Sequence, residues 1–298
     1  MEKHTEILAP AGGEAQLRAA VLCGADAVYL GLRGFNARAG AENFDENTLP
    51  QTVGWCHARG VRVYVTLNTL VTDRELPQWL HSLDAVAAAG VDGVLVQDLG
   101  LARIIRQRYL PLHASTQMTI HNLAGARLLE EMGFAQVVLA RELSKEEIAA
   151  ICAGTSMRCE VFVHGALCMS VSGQCYLSSV LGERSGNRGR CAQPCRLDFK
   201  SHGRGYALSL KDLTLTDRLR ELEALGGPLG LTDTGIVRDG RDYLAQAPLV
   251  VLDDVSFREY CRESGMELEP WTGPEAGMKL EPGDDLSTGG TGIPVVTV

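Results

Sequence analysis

The sequence predicts a (β/α)8 TIM-barrel-like parallel barrel, and three observations carry that expectation. Helix-like stretches end four times in glycine, at Gly24, Gly60, Gly90 and Gly133, and lead each time into a β-branched run. Those runs are apolar without alternation, as strands buried on both faces are. Their polar residues collect where the strands end, which is where such barrels do chemistry. At 298 residues, 45 % hydrophobic and 22 % charged, the chain can bury a core of this size.

Strands are expected at about 6–10, 27–32, 61–67, 93–97, 111–115, 136–141 and 159–164. The stretch YALSLKD (206–212) is an eighth candidate, which leaves open whether the barrel is complete. Glycine just past a helix supplies the left-handed cap. Ser144 and Glu147 form a capping box ahead of EEIAAIC, and Asp73 precedes ELPQWLHSLDAVAAAG. The first strand–helix turn reads APAGGEAQ, with no GxGxxG, so a dinucleotide fold is poorly supported.

The strand ends place Asn36, Arg38, Asn68, Gln97, Asp98, His113, Ser115, Gln117, Arg141, Glu142 and His164 on one rim, with Lys211 closing the eighth candidate. Any one of them could equally cap a helix or satisfy loop backbone. Together they describe a polar pocket for an anionic or hydrogen-bonding ligand. Asn36, Arg38, Asn68, His113, Gln117, Arg141 and Lys211 are its candidate anion ligands.

Nine cysteines are present, and four of them, Cys168, Cys175, Cys191 and Cys195, fall within 28 residues with six, fifteen and three residues between them. In a chain without secretory signals, clustered cysteines read first as metal ligands. Zinc-ribbon knuckles and ferredoxin spacing are both absent. Four thiolates interleaved with turn-forming glycines are still sufficient to hold a 4Fe–4S cubane. Structural zinc on the same ligands is the alternative, and a Cys168–His164 nucleophile pair is a weaker one. Cys23, Cys56, Cys152, Cys159 and Cys261 sit in apolar contexts and read as core.

Arg184, Arg188, Arg190 and Arg196 lie on the Gly-rich loop around the last two of these cysteines, followed by Lys200, Arg204 and Lys211. Across 184–211 they face only Asp198, which suits phosphate of RNA or of a small anion. A solvated loop that offsets cluster charge is the plain alternative. The net charge of −9 belongs mostly to the end of the chain, because 227–298 hold 13 acidic and 5 basic residues. No run approaches the roughly 18–20 apolar residues of a membrane span, and no signal peptide is visible, so a cytoplasmic protein is expected.

The stretch from Glu160 through His164 and Gly165 to Cys168, then Gly173, Cys175 and Ser178, resembles the signature of peptidase family U32. RSGNRGRCAQPCR (184–196), YALSLKDL (206–213), ILAPAGG, GADAVYLG and HASTQMTIHN match the same family. The likeness covers about residues 6–225. The family name implies a collagenase-like protease, yet no G-x-S-x-G or H-E-x-x-H is present. Better understood members imply something else: a 4Fe–4S cluster on cysteines like these four, and oxygen-independent hydroxylation. Targets in the family are a 23S rRNA cytidine or the wobble uridine of tRNA, with a further branch in ubiquinone synthesis. Prephenate is implied as hydroxyl source for the RNA branch, and the rRNA group is most similar.

The expectation is therefore an iron–sulfur RNA hydroxylase. Glu160 and His164 are the candidate catalytic groups, prephenate is the small anionic co-substrate, and Arg184, Arg188, Arg190 and Arg196 are the RNA contacts. A peptidase and a non-catalytic RNA- or protein-binding scaffold are the rivals. The barrel is assigned to 1–226, with a Cys-rich segment at 160–200 after the seventh strand. Residues 227–298 form an atypical acidic region, of which 272–298 read as a flexible tail. The family continues after 226 with a basic strand and helix that would help to close the barrel, and nothing in 227–298 matches it.

Overall fold

The computed structural model describes residues 6–171, 174–203, 205–225 and 229–233. Seven parallel strands follow one another in space in chain order: β1 (Glu6–Ala11), β2 (Ala27–Gly31), β3 (Arg62–Thr66), β4 (Gly93–Val96), β5 (Leu112–Ala114), β6 (Phe134–Val138) and β7 (Arg158–Gly165). A two-residue strand, β8 (Leu213–Thr214), lies antiparallel on β7. The strand β9 (Leu229–Asp233) then runs parallel between β7 and β1, pairing Cys159 with Leu229 on one side and Glu6 with Gly230 on the other. With β6 also paired to β7, eight parallel strands close into a ring.

Two expectations change here. The stretch 206–212 is not a strand: Tyr206 has a left-handed backbone (φ +54°) and Ala207 N–H donates to Phe199 O, which turns the chain instead of extending it. The eighth barrel strand comes from GPLGLTD, just past the boundary drawn at 226. A proline and two glycines in seven residues hide that strand, and only its parallel ladders on both sides reveal it. The remainder of the acidic region, including the expected tail at 272–298, and Cys261 lie outside the described residues.

Helices α1 (Glu14–Leu22), α2 (Leu49–His57), α3 (Leu76–Ala89), α4 (Leu99–Arg106), α5 (Leu123–Glu131) and α6 (Lys145–Gly154) cover the outside of the ring. All four expected cap glycines have positive φ, between +73° and +92°. The Ser144–Glu147 capping box forms with both of its bonds. Helix α3 begins at Leu76 rather than beside Asp73, because Thr72 N–H and Oγ1 bind the Glu75 carboxylate and Pro77 sits in the first turn.

The alternation of side chains sorts the strands into two cores. Outward residues such as Val28, Val63, Val94 and Val137 meet the helices, together with fully buried Trp79 on α3. Inward residues Leu8, Tyr29, Tyr64, Leu95 and Val138 fill the barrel, with Phe162 against them. Each such side chain removed from water contributes about 1.5–3 kcal/mol, so the ring is held by both layers at once.

Candidate active site at the barrel mouth

The inward column is polar at its N-terminal end. Glu6, at the start of β1, is ion-paired to Arg62 and Arg158 at the starts of β3 and β7, and accepts from Tyr64 Oη at 3.2 Å. Above it, Gln136 Nε2 donates to Glu160. His113 lies in the same interior, its ring edge-on to Tyr64 at 4.5 Å between centroids. It occupies the space over Gly93, where any Cβ would stand 2.8 Å from its Nε2. Burial, with the charges of Arg158 and Arg62, pushes the His113 imidazole down to about 3, so it is neutral.

Glu160, expected as a catalytic group, and His113, expected on the rim, both belong to a buried plug. Their position fits stability of the barrel's N-terminal half better than contact with substrate. The sequence could not separate the two roles, because rim and plug residues alternate on the same short strands.

The mouth is built differently. Arg38, from the loop after β2, stands with its guanidinium 5.4 Å from the centre of the Tyr29 ring. Arg141, just after β6, stands 5.2 Å from the centre of Phe162 and donates to Ala166 O at 3.2 Å. Burial shifts the Arg141 guanidinium down from its ordinary value, and the charged groups that act on it are Cys168, Glu142 and Tyr29. Arg141 therefore stands within electrostatic reach of the first cluster cysteine and of the ring that Arg38 covers. Two guanidinium groups over aromatic faces are an arrangement whose chemistry could take a planar anion. A cleft of about 210 Å³ adjoins it, walled by Arg141, Phe162, Leu215 and Leu222, with Lys145 and Arg218 among its lining.

His164 lies near the end of β7, opposite Thr214 on β8 and Asp233 on β9, just past a register shift between Phe162 and His164. Such a shift re-aims the side chains beyond it.

The rim asparagines are already engaged. Asn36 donates to Leu32 O and accepts from Arg38 N–H at 2.7 Å. Asn68 accepts from Ala37 N–H at 2.9 Å and donates to Ser115 Oγ, which in turn is 3.4 Å from Gln117 Oε1. These three set the loop that carries Arg38, so they position the mouth rather than line it with free groups. Lys211 is exposed in the irregular segment before β8.

The Cys-rich segment folds over this end of the barrel. The turn at Gly186 brings two of the four cysteines together: a Cβ there would touch Cys175 O and Cys191 Cβ, each at 3.5 Å. Backbone N–H groups point at two of the sulfurs, Leu177 N to Cys175 Sγ and Gln193 N to Cys191 Sγ, both at 3.3 Å. Gln193 reaches its sulfur from a left-handed backbone, φ +54°. Burial raises the Cys195 thiol, and the charges of Cys168, Cys191 and Cys175 raise it further against Arg196. The other three thiols thus act electrostatically on Cys195, and all four are free of disulfides. Among the described residues no group of three or more His, Cys, Asp or Glu side chains is arranged to hold a single metal ion.

The arginines divide. Arg188 forms a two-pronged ion pair with Glu75 before α3, which pulls the Glu75 carboxyl down to about 2 through Arg188 and then Thr72. Arg196 binds Asp212 at 3.1 Å, Ser209 Oγ at 3.1 Å and the carbonyls of Leu167 and Leu210. Both are internal ties that dock the segment on the barrel, not exposed RNA contacts. Arg184 Nε donates to Arg190 O, and Arg190 is exposed. The sequence missed Tyr29, Phe162, Glu75 and Asp212. For the two aromatics the signal was the inward parity of their strands, visible only once register is known.

The sequence model of peptidase family U32 matches residues 12–227. This chain belongs to peptidase family U32. Its curated U32 relatives carry different names. A 23S rRNA 5-hydroxycytidine synthase of Escherichia coli is 41 % identical over 225 residues, 73 % of this chain and 34 % of that protein. A collagenase of Porphyromonas gingivalis is 38 % identical over 220 residues, covering 70 % and 51 %. The tRNA hydroxylation protein P of Escherichia coli is 36 % identical over 197 residues, covering 65 % and 44 %. The chain spans between a third and about three fifths of the length of the first of these relatives. Among solved structures, the U32 peptidase Mk0906 superposes with a TM-score of 0.48 at 19 % identity, covering 56 % of this chain and 71 % of that one. No helix among the described residues is long and apolar enough to cross a membrane.

Proposed function

We propose that this U32 chain is the catalytic barrel of an oxygen-independent RNA-base hydroxylase. The observation that carries the reading is the position of Arg141, over the Phe162 ring and bonded to Ala166 O two residues before Cys168. Relatives named for rRNA and tRNA hydroxylation supply the class of substrate.

Cys168, Cys175, Cys191 and Cys195 are the residues that would hold a 4Fe–4S cluster. The reading is supported by three thiols that act electrostatically on Cys195 and by backbone N–H bonds to Cys175 and Cys191 of the kind that tune cluster sulfurs. When bound, such a cluster supplies one-electron redox chemistry or an open iron site beside the mouth. Arg38 and Arg141 bind the carboxylates of a small anionic co-substrate, with prephenate as the proposed hydroxyl source, and hold its ring against Tyr29 and Phe162. His164 Nδ1 or Nε2 takes or gives the proton that the hydroxyl transfer moves. The closed lower plug leaves the mouth as the route for ligand, and the Cys-rich segment restricts water above it.

The test is mass spectrometry of rRNA and tRNA nucleosides from a strain lacking this chain, complemented with wild type, Arg141→Lys or Arg38→Ala. The proposal requires a hydroxylated base that disappears on deletion, returns with wild type, and stays absent with Arg141→Lys although the protein accumulates normally. An unchanged nucleoside profile on deletion would remove the RNA reading.

A further inference from the structure

The segment between Cys195 and β8 carries a feature that the mouth does not use. Phe199 and Tyr206 stand on one turn, joined by Ala207 N–H to Phe199 O at 2.8 Å and by Tyr206 N–H to Asp198 Oδ1 at 3.0 Å. Both rings are open to solvent, Phe199 at 36 % and Tyr206 at 57 %. The turn is held in a costly shape. His202 and Tyr206 both have left-handed backbones. Gly205 packs so closely that a Cβ there would stand 2.6 Å from the Asp198 carboxylate. Its base is tied by Arg196 to Leu210, Asp212 and Leu167, so the turn keeps a set position relative to Cys195 and Cys168.

Charge selects among the partners such rings could take. Residues 199–211 contain Lys200, Arg204, Lys211 and His202 and no acid. Of the flanking acids, Asp198 takes Tyr206 N–H and stands 4.0 Å from Lys200 Nζ, an exposed pair that a phosphate can replace, and Asp212 is held by Arg196. Exposed aromatic faces in a stretch where cations outnumber acids are the pattern of single-strand nucleic-acid binding, where bases stack and the backbone meets positive charge. A protein-binding patch needs no such excess of cations.

We propose that Phe199 and Tyr206 form a stacking platform for unpaired RNA bases, which holds a single-stranded stretch of the substrate beside the clustered cysteines. The proposal rests on the RNA reading of the mouth and deepens it, because it specifies unpaired rather than duplex RNA. A base that must enter a barrel mouth has to be out of its helix, and a platform next to that mouth would keep its neighbours splayed.

The test is fluorescence anisotropy of the full chain, purified without oxygen, with a labelled single-stranded RNA and with the same strand in a duplex. Phe199→Ala/Tyr206→Ala is compared with Tyr206→Phe, which keeps the ring, and with Lys200→Ala. Wild type should prefer the single strand, and the double variant should weaken it by about ten-fold or more, since each stacked base contributes on that scale. Tyr206→Phe should bind as wild type, and Lys200→Ala should flatten the salt dependence by about one unit of slope. Unchanged binding by the double variant, or a wild-type preference for duplex, overturns the platform. So does a double variant that loses thermal stability without losing RNA, since the rings would then be covered by protein. The two readings fail separately. Hydroxylation that persists in the double variant removes the platform and leaves the mouth. Loss of single-strand binding in a protein whose deletion changes no nucleoside removes the hydroxylase and leaves the platform.

Discussion

Gly189 is the point at which the Cys-rich segment touches the barrel, and replacing it with alanine should detach that segment. Its backbone is left-handed, φ +73°, and a Cβ there would run into Asn36 O and stand 2.8 Å from Ala37 C and 3.0 Å from Ala37 Cα. All three obstacles are backbone in a loop already held by Asn36 and Asn68, so nothing near can swing aside. Left-handed strain costs about 1–2 kcal/mol and overpacking about 1–3 kcal/mol. The chain can escape the overlap only by lifting 184–191, which breaks the Arg188–Glu75 pair, an exposed pair that contributes at most about 1 kcal/mol. The expected loss is therefore about 2–3 kcal/mol of docking free energy. Hydrogen exchange of amides 184–192 should rise roughly 30–150-fold, while β1–β6 exchange as before. Gly182→Ala is the control, because nothing lies within 4 Å of its Cβ and it sits in α7 (Leu177–Gly182). It should be neutral or slightly stabilising. A Gly189→Ala protein whose 184–192 amides exchange like wild type would refute the docking argument.

Other outcomes follow from the same geometry. His113 is held neutral down to about 3 while its ordinary value is 6.5, so the unfolded chain binds a proton that the folded one refuses in that window. Its contribution is present above pH 6.5 and falls as pH drops toward 3, by about 1.4 kcal/mol per unit; the slope for His113→Asn in urea titrations from pH 4 to 6.5 should be shallower by one proton. The Glu75 carboxyl is lowered to about 2, so the Arg188 tie is intact above pH 4.5 and weakens as pH falls below it; amide exchange within 184–190, referenced to the intrinsic rate at each pH, should accelerate below pH 4.5 in wild type, and already at pH 7 in Glu75→Gln. Trp79→Ala removes a fully buried ring from the α3 face and should cost about 3–5 kcal/mol in equilibrium unfolding, with no change in the charge state of the mouth.

Much of the barrel was legible because its strands are short apolar runs announced by capping glycines, as at Gly60 before Val63 and Gly90 before Val94. Local chemistry sufficed there, since a left-handed residue ends a helix wherever it occurs. The eighth strand was not legible. LGLTD has weak intrinsic preference for extension and becomes a strand only through its ladders with β7 and with β1, the latter between residues more than two hundred positions apart. YALSLKD misled for the converse reason: its alternation suits a strand, but Arg196 and Asp198 bend it into a turn. In the site, spacing singled out four cysteines, of which the structure shows Cys175 and Cys191 meeting at Gly186, whereas the work of the arginines could not be read. Arg188 and Arg196 carry the same charge as Arg190, and only the positions of Glu75 and Asp212 show that two of the three are internal ties. His113 was placed on the rim, and Glu160 read as a catalytic group, because both-face burial erases the alternation that would have turned them inward.

The most direct test of the account is the iron and acid-labile sulfide content, with the visible spectrum, of the full chain purified without oxygen. The account predicts about four irons and four sulfides per chain, as a cubane on four thiolates requires. Iron should be lost in Cys168→Ala and Cys195→Ala and kept in Cys23→Ala. Zinc in place of iron, no metal at all, or iron that survives loss of Cys168 would contradict it.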